Sequence, residues 1–117
     1  MIKSTVCYLV HDEKWLMLLR NKKQHDLNHG KWIGVGGKLK TNETPYECMV
    51  REVIEETGYQ VQSALYCGII HFHYEHHEDE EIYVYQTSDY VGTLHECSEG
   101  TLAYIPKKDI LDLELWE

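Results

Sequence analysis

The sequence predicts an α/β domain, a mixed β-sheet with helices on both faces. Three observations predict it. One segment is helical with cap signals at both ends, strand-like runs precede and follow it, and 117 residues suit a single core.

The helix spans Pro45–Thr57. Thr44 can cap it, Pro45 suits its first position, and Thr44 with Glu47 matches a capping box. Gly58 supplies the stop. At about 100° of rotation per residue, Tyr46, Met49, Val50, Val53, Ile54 and Thr57 form one stripe, expected to face the core. Glu52, Glu55 and Glu56 form a second arc roughly 140° away. These carboxylates are expected to face out of the core, into solvent or a cleft.

Residues 2–10 and 15–19 read as strands around a turn at 11–14. Residues 21–30 are polar and read as a loop. Residues 32–39 hold three glycines among short apolar residues, a strand ending where backbone must approach something closely. Strands are expected at 64–74, 81–90 and 101–105, with the acidic run EHHEDEE forming a hairpin tip between the first two. Residues 109–116 read as the start of a terminal helix that the chain cuts short. No repeat or linker divides residues 1–117, so a single domain is expected.

Composition narrows the function classes. No apolar run approaches the roughly 18 residues needed to span a bilayer, and the N-terminus lacks the apolar core and cleavage site of a secretory signal. Cys7, Cys48, Cys67 and Cys97 form no CxxC pair and no zinc spacing, which favours reduced thiols in a cytosol. A soluble cytoplasmic domain is expected. The net charge of −9 argues against stable binding of nucleic acid or an anionic membrane. Oligomeric state has no signature in the sequence.

The charge is unevenly spread. Residues 14–40 contain Lys14, Arg20, Lys22, Lys23, Lys31, Lys38 and Lys40 against the single acid Asp26, and the remainder is acidic. A basic stretch, a glycine-rich turn and an acidic helix together suit a phosphate-plus-metal site. Glu52, Glu55 and Glu56 are neighbours on a helix, and like charges at that spacing destabilise it unless a cation sits among them. Clustered carboxylates are what a hard ion such as Mg²⁺ binds, usually together with substrate phosphates.

The full spacing is Gly37, five residues, Glu43, seven residues, then Arg51-Glu52-Val53-Ile54-Glu55-Glu56-Thr57-Gly58-Tyr59. It resembles the Nudix box of hydrolases that cleave nucleoside diphosphates linked to another group. Tyr59 departs from the usual aliphatic residue. The run 31–38 (KWIGVGGK), the hairpin region 68–92, Glu99 and Trp116 are similar to hydrolases of oxidised purine nucleoside triphosphates, the MutT-like members.

The resemblance implies an α/β/α sandwich around a mixed sheet, with its C-terminal helix missing or truncated. It implies hydrolysis of a nucleoside triphosphate to monophosphate and pyrophosphate, with Mg²⁺ as cofactor and Mn²⁺ as a substitute. The best-supported substrate is a small-molecule nucleotide such as 8-oxo-dGTP; ADP-ribose, dinucleoside polyphosphates, RNA 5′-triphosphates and a non-catalytic nucleotide sensor are alternatives.

By position, Glu52, Glu55 and Glu56 would be catalytic and metal-binding, with a backbone carbonyl of Gly36 or Gly37, and with Glu99 from a later loop. Arg51 would hold the glutamates, and Glu43 and Gly58 would be structural. Lys23 and Lys38 would contact phosphate, with Arg20 a weaker candidate. Leu27, Phe72, Trp116 and Glu117 would form the substrate pocket, although Trp116 and Phe72 also suit core packing. Ile33 stands where relatives often place an Asn that bonds the base. His71 and His73 share a strand face near His76 and His77, but spacing fixes no third and fourth zinc ligand, and a solvated tip is preferred. Cys48 lacks a nucleophilic partner in sequence and suits a small buried role.

Overall fold

The computed structural model describes residues 1–20, 31–73, 75–97 and 100–112, the last two by backbone alone. Chain order is β1 (Ile2–His11), β2 (Lys14–Leu19), β3 (Trp32–Ile33), β4 (Val35–Lys38), α1 (Pro45–Thr57), β5 (Tyr59–Phe72), β6 (Glu80–Gly92), β7 (Thr101–Pro106) and a 3₁₀ turn (Lys107–Asp112).

The seven strands form one sheet in the order β3-β2-β1-β6-β5, with β4 beside β1 and β7 beside β2. The β1–β6 pair is parallel and the others are antiparallel, so the sheet is mixed as expected. Asp12 and Glu13, both at positive φ, turn β1 into β2. The two strands pair only from Leu9↔Leu16 to His11↔Lys14 and then part. Between them runs the segment predicted as one strand at 32–39. It is two strands, because β3 bonds β2 while β4 bonds β1. Gly34 sits at the fork, where a Cβ would come within 2.5 Å of Val6 and 2.8 Å of Tyr8.

Helix α1 forms for the reasons read in the sequence. Thr44 Oγ1 accepts from the Glu47 N–H at 3.1 Å, and Glu47 Oε1 accepts from the Thr44 N–H at 2.9 Å. Gly58 ends the helix at φ 87°, its N–H donating to the Ile54 carbonyl at 3.0 Å. The helix packs on β1, β4 and β5. Its contact builds the core of Cys7, Leu9, Leu16, Val35, Met49, Val53, Val61 and Tyr85.

The buried stripe of α1 is rotated from the one expected. Tyr46 and Ile54 are each 40% exposed, whereas Cys48 is fully buried and Glu56 is 6% exposed. Gly37 presents no side chain to the helix, so its glutamate side can lie close to β4. Glu56 thus faces inward, correcting the outward arc predicted for all three carboxylates.

Other boundaries also move. β5 begins at Tyr59, directly after Gly58, and not at residue 64. Its register slips between Val61/Ser63, Ser63/Leu65 and Tyr66/Gly68, which erases the alternation that marks a strand in sequence. β6 takes in Glu80 and Glu81, opposite Phe72 and His71, so the acidic tip is shorter than predicted. A 3₁₀ turn occupies the start of the expected terminal helix. Among the described residues one α-helix packs on the mixed sheet, the α/β class expected with its C-terminal helix missing or truncated. No helix among them is long and apolar enough to cross a membrane.

Candidate functional site

The site forms where α1 crosses β4. β4 pairs with β1 through Thr5↔Gly37 and Val6↔Gly36, which fixes the two glycines beneath the helix. The Glu52 carboxylate rests directly on Gly37: a Cβ there would lie 2.5 Å from Glu52 Cδ and Oε2. At Gly36 a Cβ would collide with the Thr5 carbonyl oxygen. The Gly36 N–H donates to Glu56 Oε2 at 3.0 Å. Two of the three predicted carboxylates are therefore drawn to the glycine strand, and Glu55 stays outside with a side chain 53% exposed.

Arg51 holds the cluster. Its Nε and Nη2 grip both oxygens of Glu43 at 2.7 and 2.9 Å, a bidentate pair. Nη1 donates to Glu52 Oε1 at 2.6 Å and to Glu55 Oε2 at 3.2 Å, while Nη2 also reaches the Lys38 carbonyl at 3.2 Å. The Arg51 bonds, helped by the Lys40 N–H, hold the Glu43 carboxyl down at about 2 from an ordinary 4.5. The same carboxylates, Glu43 first, raise the guanidinium further. Arg51 is the cation that the sequence required among the glutamates.

Sequence reasoning missed the work of Cys48. Its buried thiol donates to the Gly37 carbonyl at 3.6 Å and lies 3.4 Å from Thr5 Oγ1, with Arg51 Nη2 at 3.8 Å. It ties β1, β4 and α1 together, and burial pushes its pKa up. A small residue four positions before Glu52 and close in space to paired glycines was the available signal.

Lys38, whose carbonyl Arg51 holds, is exposed at the end of β4. Phe72 pairs with Glu80, which accepts from Ser4 Oγ at 2.5 Å, whereas Thr5 faces α1. Strand alternation therefore puts Phe72 on the sheet face away from α1, with β1 and β6 between it and β4. Ile33 stands opposite Leu18. His71 meets the half-buried Glu81 at 3.5 Å and His73 meets the exposed Asp79 at 2.8 Å, two separate pairs. Lys23, Leu27, Glu99, Trp116 and Glu117 lie outside the described residues.

Among the described residues no three His, Cys, Asp or Glu side chains converge as a preformed metal cage. The donor chemistry still fits a hard divalent ion. Glu52 and Glu56 oxygens border the Gly36–Gly37 backbone, where the absence of a Cβ on Gly37 makes room for the Glu52 carboxylate.

The NUDIX domain model matches residues 1–116. The chain belongs to the Nudix family. Among curated Nudix relatives, the oxidized purine nucleoside triphosphate hydrolase of Danio rerio is 31% identical over 83 residues, 70% of this chain and 53% of that protein. The chain thus spans about half the length of that relative. The uncharacterized Nudix hydrolase YvcI of Bacillus subtilis is 28% identical over 97% of this chain and 71% of its own. Among solved structures, a MutT protein from Bacillus halodurans superposes with a TM-score of 0.85 at 24% identity, covering 98% of this chain and 74% of that one. Its likeness shows that the mixed sheet and single helix are the Nudix fold.

Proposed function

We propose that this Nudix chain is a Mg²⁺-dependent hydrolase converting a nucleoside triphosphate to its monophosphate and pyrophosphate. An oxidised purine nucleotide such as 8-oxo-dGTP is the substrate favoured. The observation that carries the reading is the seating of Glu52 and Glu56 against Gly36 and Gly37 beside Arg51. The activity named for the Danio rerio relative supports the substrate class.

Glu52, Glu55 and Glu56 would hold the ion, with a carbonyl of Gly36 or Gly37 and with Glu99. Bound there, Mg²⁺ neutralises phosphoryl oxygens and lowers the pKa of its water, with Mn²⁺ able to substitute. The protein's own groups supply position. Arg51 keeps Glu52 and Glu55 side by side at 2.6 and 3.2 Å despite their like charge. Cys48 and the β1–β4 ladder fix the Gly37 carbonyl. Glu55, the most exposed carboxylate of the three, has open access to take a proton from the attacking water. Lys38, with Lys23, would meet the substrate phosphates.

Such an activity would cleanse the nucleotide pool and so serve DNA repair in the cytoplasm. The spacing of Cys7, Cys48, Cys67 and Cys97, with no CxxC pair, is what favours a reducing compartment. Glu55→Gln combined with Glu56→Gln should abolish Mg²⁺-dependent turnover and leave the circular dichroism spectrum unchanged. Near-normal turnover would sink the mechanism.

A second reading keeps the chemistry and changes the substrate to ADP-ribose, a dinucleoside polyphosphate or a 5′-triphosphate RNA. Ile33 motivates it, because an apolar side chain cannot bond a base edge. A substrate panel ranked by kcat/KM decides, and a preference for ADP-ribose over 8-oxo-dGTP would replace the first choice. Tight nucleotide binding without product, in Mg²⁺ or Mn²⁺, would instead mark a sensing module.

A further inference from the structure

Strand β5 is the last strand of the sheet, and among the described residues nothing pairs with its outer edge. Edge strands present unpaired N–H and C=O groups, and soluble proteins usually guard them with charged residues. Here bulges between Val61 and Gly68 interrupt the edge, but the charged guard is absent. Residues 57–74 contain no Asp, Glu, Lys or Arg, in a chain that is 26% charged. The strand is instead apolar on both sides. Tyr66 and Ile69 pair with Tyr85 and Tyr83 on the α1 face, while Leu65 and Ile70 pair with Gln86 and Ile82 on the other. All four are exposed, Leu65 by 67%. On the α1 side the patch continues through Tyr46, whose ring and that of Tyr66 both pack on Tyr85.

We propose that β5 is the interface of a two-fold dimer, in which β5 of a second copy of this chain pairs antiparallel with it. Charge selects this occupant. With a net charge of −9, two copies repel wherever their carboxylates meet, and along β5 they meet none. A cationic partner would find no carboxylate on the strand to bond.

The antiparallel direction follows from the acidic tip. Glu75, Glu78 and Asp79 lie just beyond Phe72, and parallel pairing would set the two tips side by side. Antiparallel pairing sends each tip to the Tyr59 end of its partner. A two-fold contact also closes both open edges at once and stops at two copies. Size is adequate: a strip roughly 40 Å long and 20 Å deep is about 800 Å², the share each partner gives to a stable interface.

The inference is independent of the catalytic reading. Sedimentation velocity of the full chain over a concentration series should give a dimer. Leu65→Lys with Ile69→Lys should raise its dissociation constant about 100-fold or more, with circular dichroism and Mg²⁺-dependent turnover unchanged. A chain that stays monomeric at roughly 100 µM, or a dimer indifferent to both lysines, would overturn the proposal. The unaltered chain offers a check that needs no foreign charge. Cys67 is exposed on β5, and a short bismaleimide should capture a covalent dimer that Cys67→Ser abolishes. A sedimenting dimer that Cys67 cannot cross-link would place the contact elsewhere and refute it.

Discussion

Around Arg51, four charged side chains meet within 3.2 Å, whereas along the fourteen residues of β5 no Asp, Glu, Lys or Arg occurs. In sequence Gly58 alone separates α1 from β5, yet the two regions treat their surfaces in opposite ways. In the first, every carboxylate is answered within the chain: Glu43, Glu52 and Glu55 by Arg51, and Glu56 by the Gly36 N–H. In the second, the backbone edge and the apolar side chains are answered by nothing described in the chain itself. The contrast teaches that carboxylates each bonded within the chain mark where this molecule is organised by its own residues. An uncharged, open edge marks where it meets something else.

The sharpest way to break the first region is Arg51→Ala. It leaves Glu43 and Glu52, both half-buried, without their cation, and should lower the denaturation midpoint. Turnover should fall by roughly 100-fold, since displaced catalytic groups cost that much. Chemical denaturation together with kcat/KM checks both. Retained activity would mean the glutamates position themselves.

Packing separates the two sides of α1. Met49 is fully buried, so Met49→Ala should destabilise by about 2–5 kcal/mol. Ile54, on the side of α1 left 40% exposed, should tolerate Ala within about 0.5 kcal/mol. Equal losses in melting experiments would show that the helix is rotated from the orientation described.

The smallest effect is a pH dependence. The Glu43 carboxyl is held at about 2, below an ordinary 4.5, so it binds its proton less readily folded than unfolded. Its contribution is complete above about 4.5 and is lost as pH falls through about 2. Denaturation midpoints between those limits should therefore decline less steeply in Glu43→Gln than in the unaltered chain. An unchanged slope would mean the Glu43–Arg51 pair is equally strong in the unfolded chain.

Legibility in the sequence followed how local each cause was. Helix α1 was fully readable, because Thr44, Glu47, Pro45 and Gly58 act within one turn of its ends. The need for a cation among the glutamates was also readable, since helical spacing sets their distances. The burial of Glu56 was not. It depends on β4 lying under the helix, and β4 is placed by pairing with β1 some thirty residues away. The fork at Gly34 and the early start of β5 were hidden for the same reason. Both are decided by partners distant in sequence, and in β5 the bulges removed the alternation that would have shown it. The assigned roles of Gly36, Gly37, Lys38 and Phe72 rest on the resemblance, and the structure brings only the first two to the glutamates.

Cys48, fixed under α1, also makes the molecule its own clock. Cys67 is exposed and should react with a thiol reagent at once, whereas Cys48 and Cys7 are fully buried. Burial pushes the Cys7 thiol up to about 12 and raises that of Cys48, so neither reacts until its surroundings part. Labelling at Cys48 therefore times the lifting of the helix from β1 and β4. Labelling at Cys7, on the central strand, times the opening of the sheet. If the first runs faster than the second, the catalytic helix detaches while the sheet holds, an event that no equilibrium melt would separate.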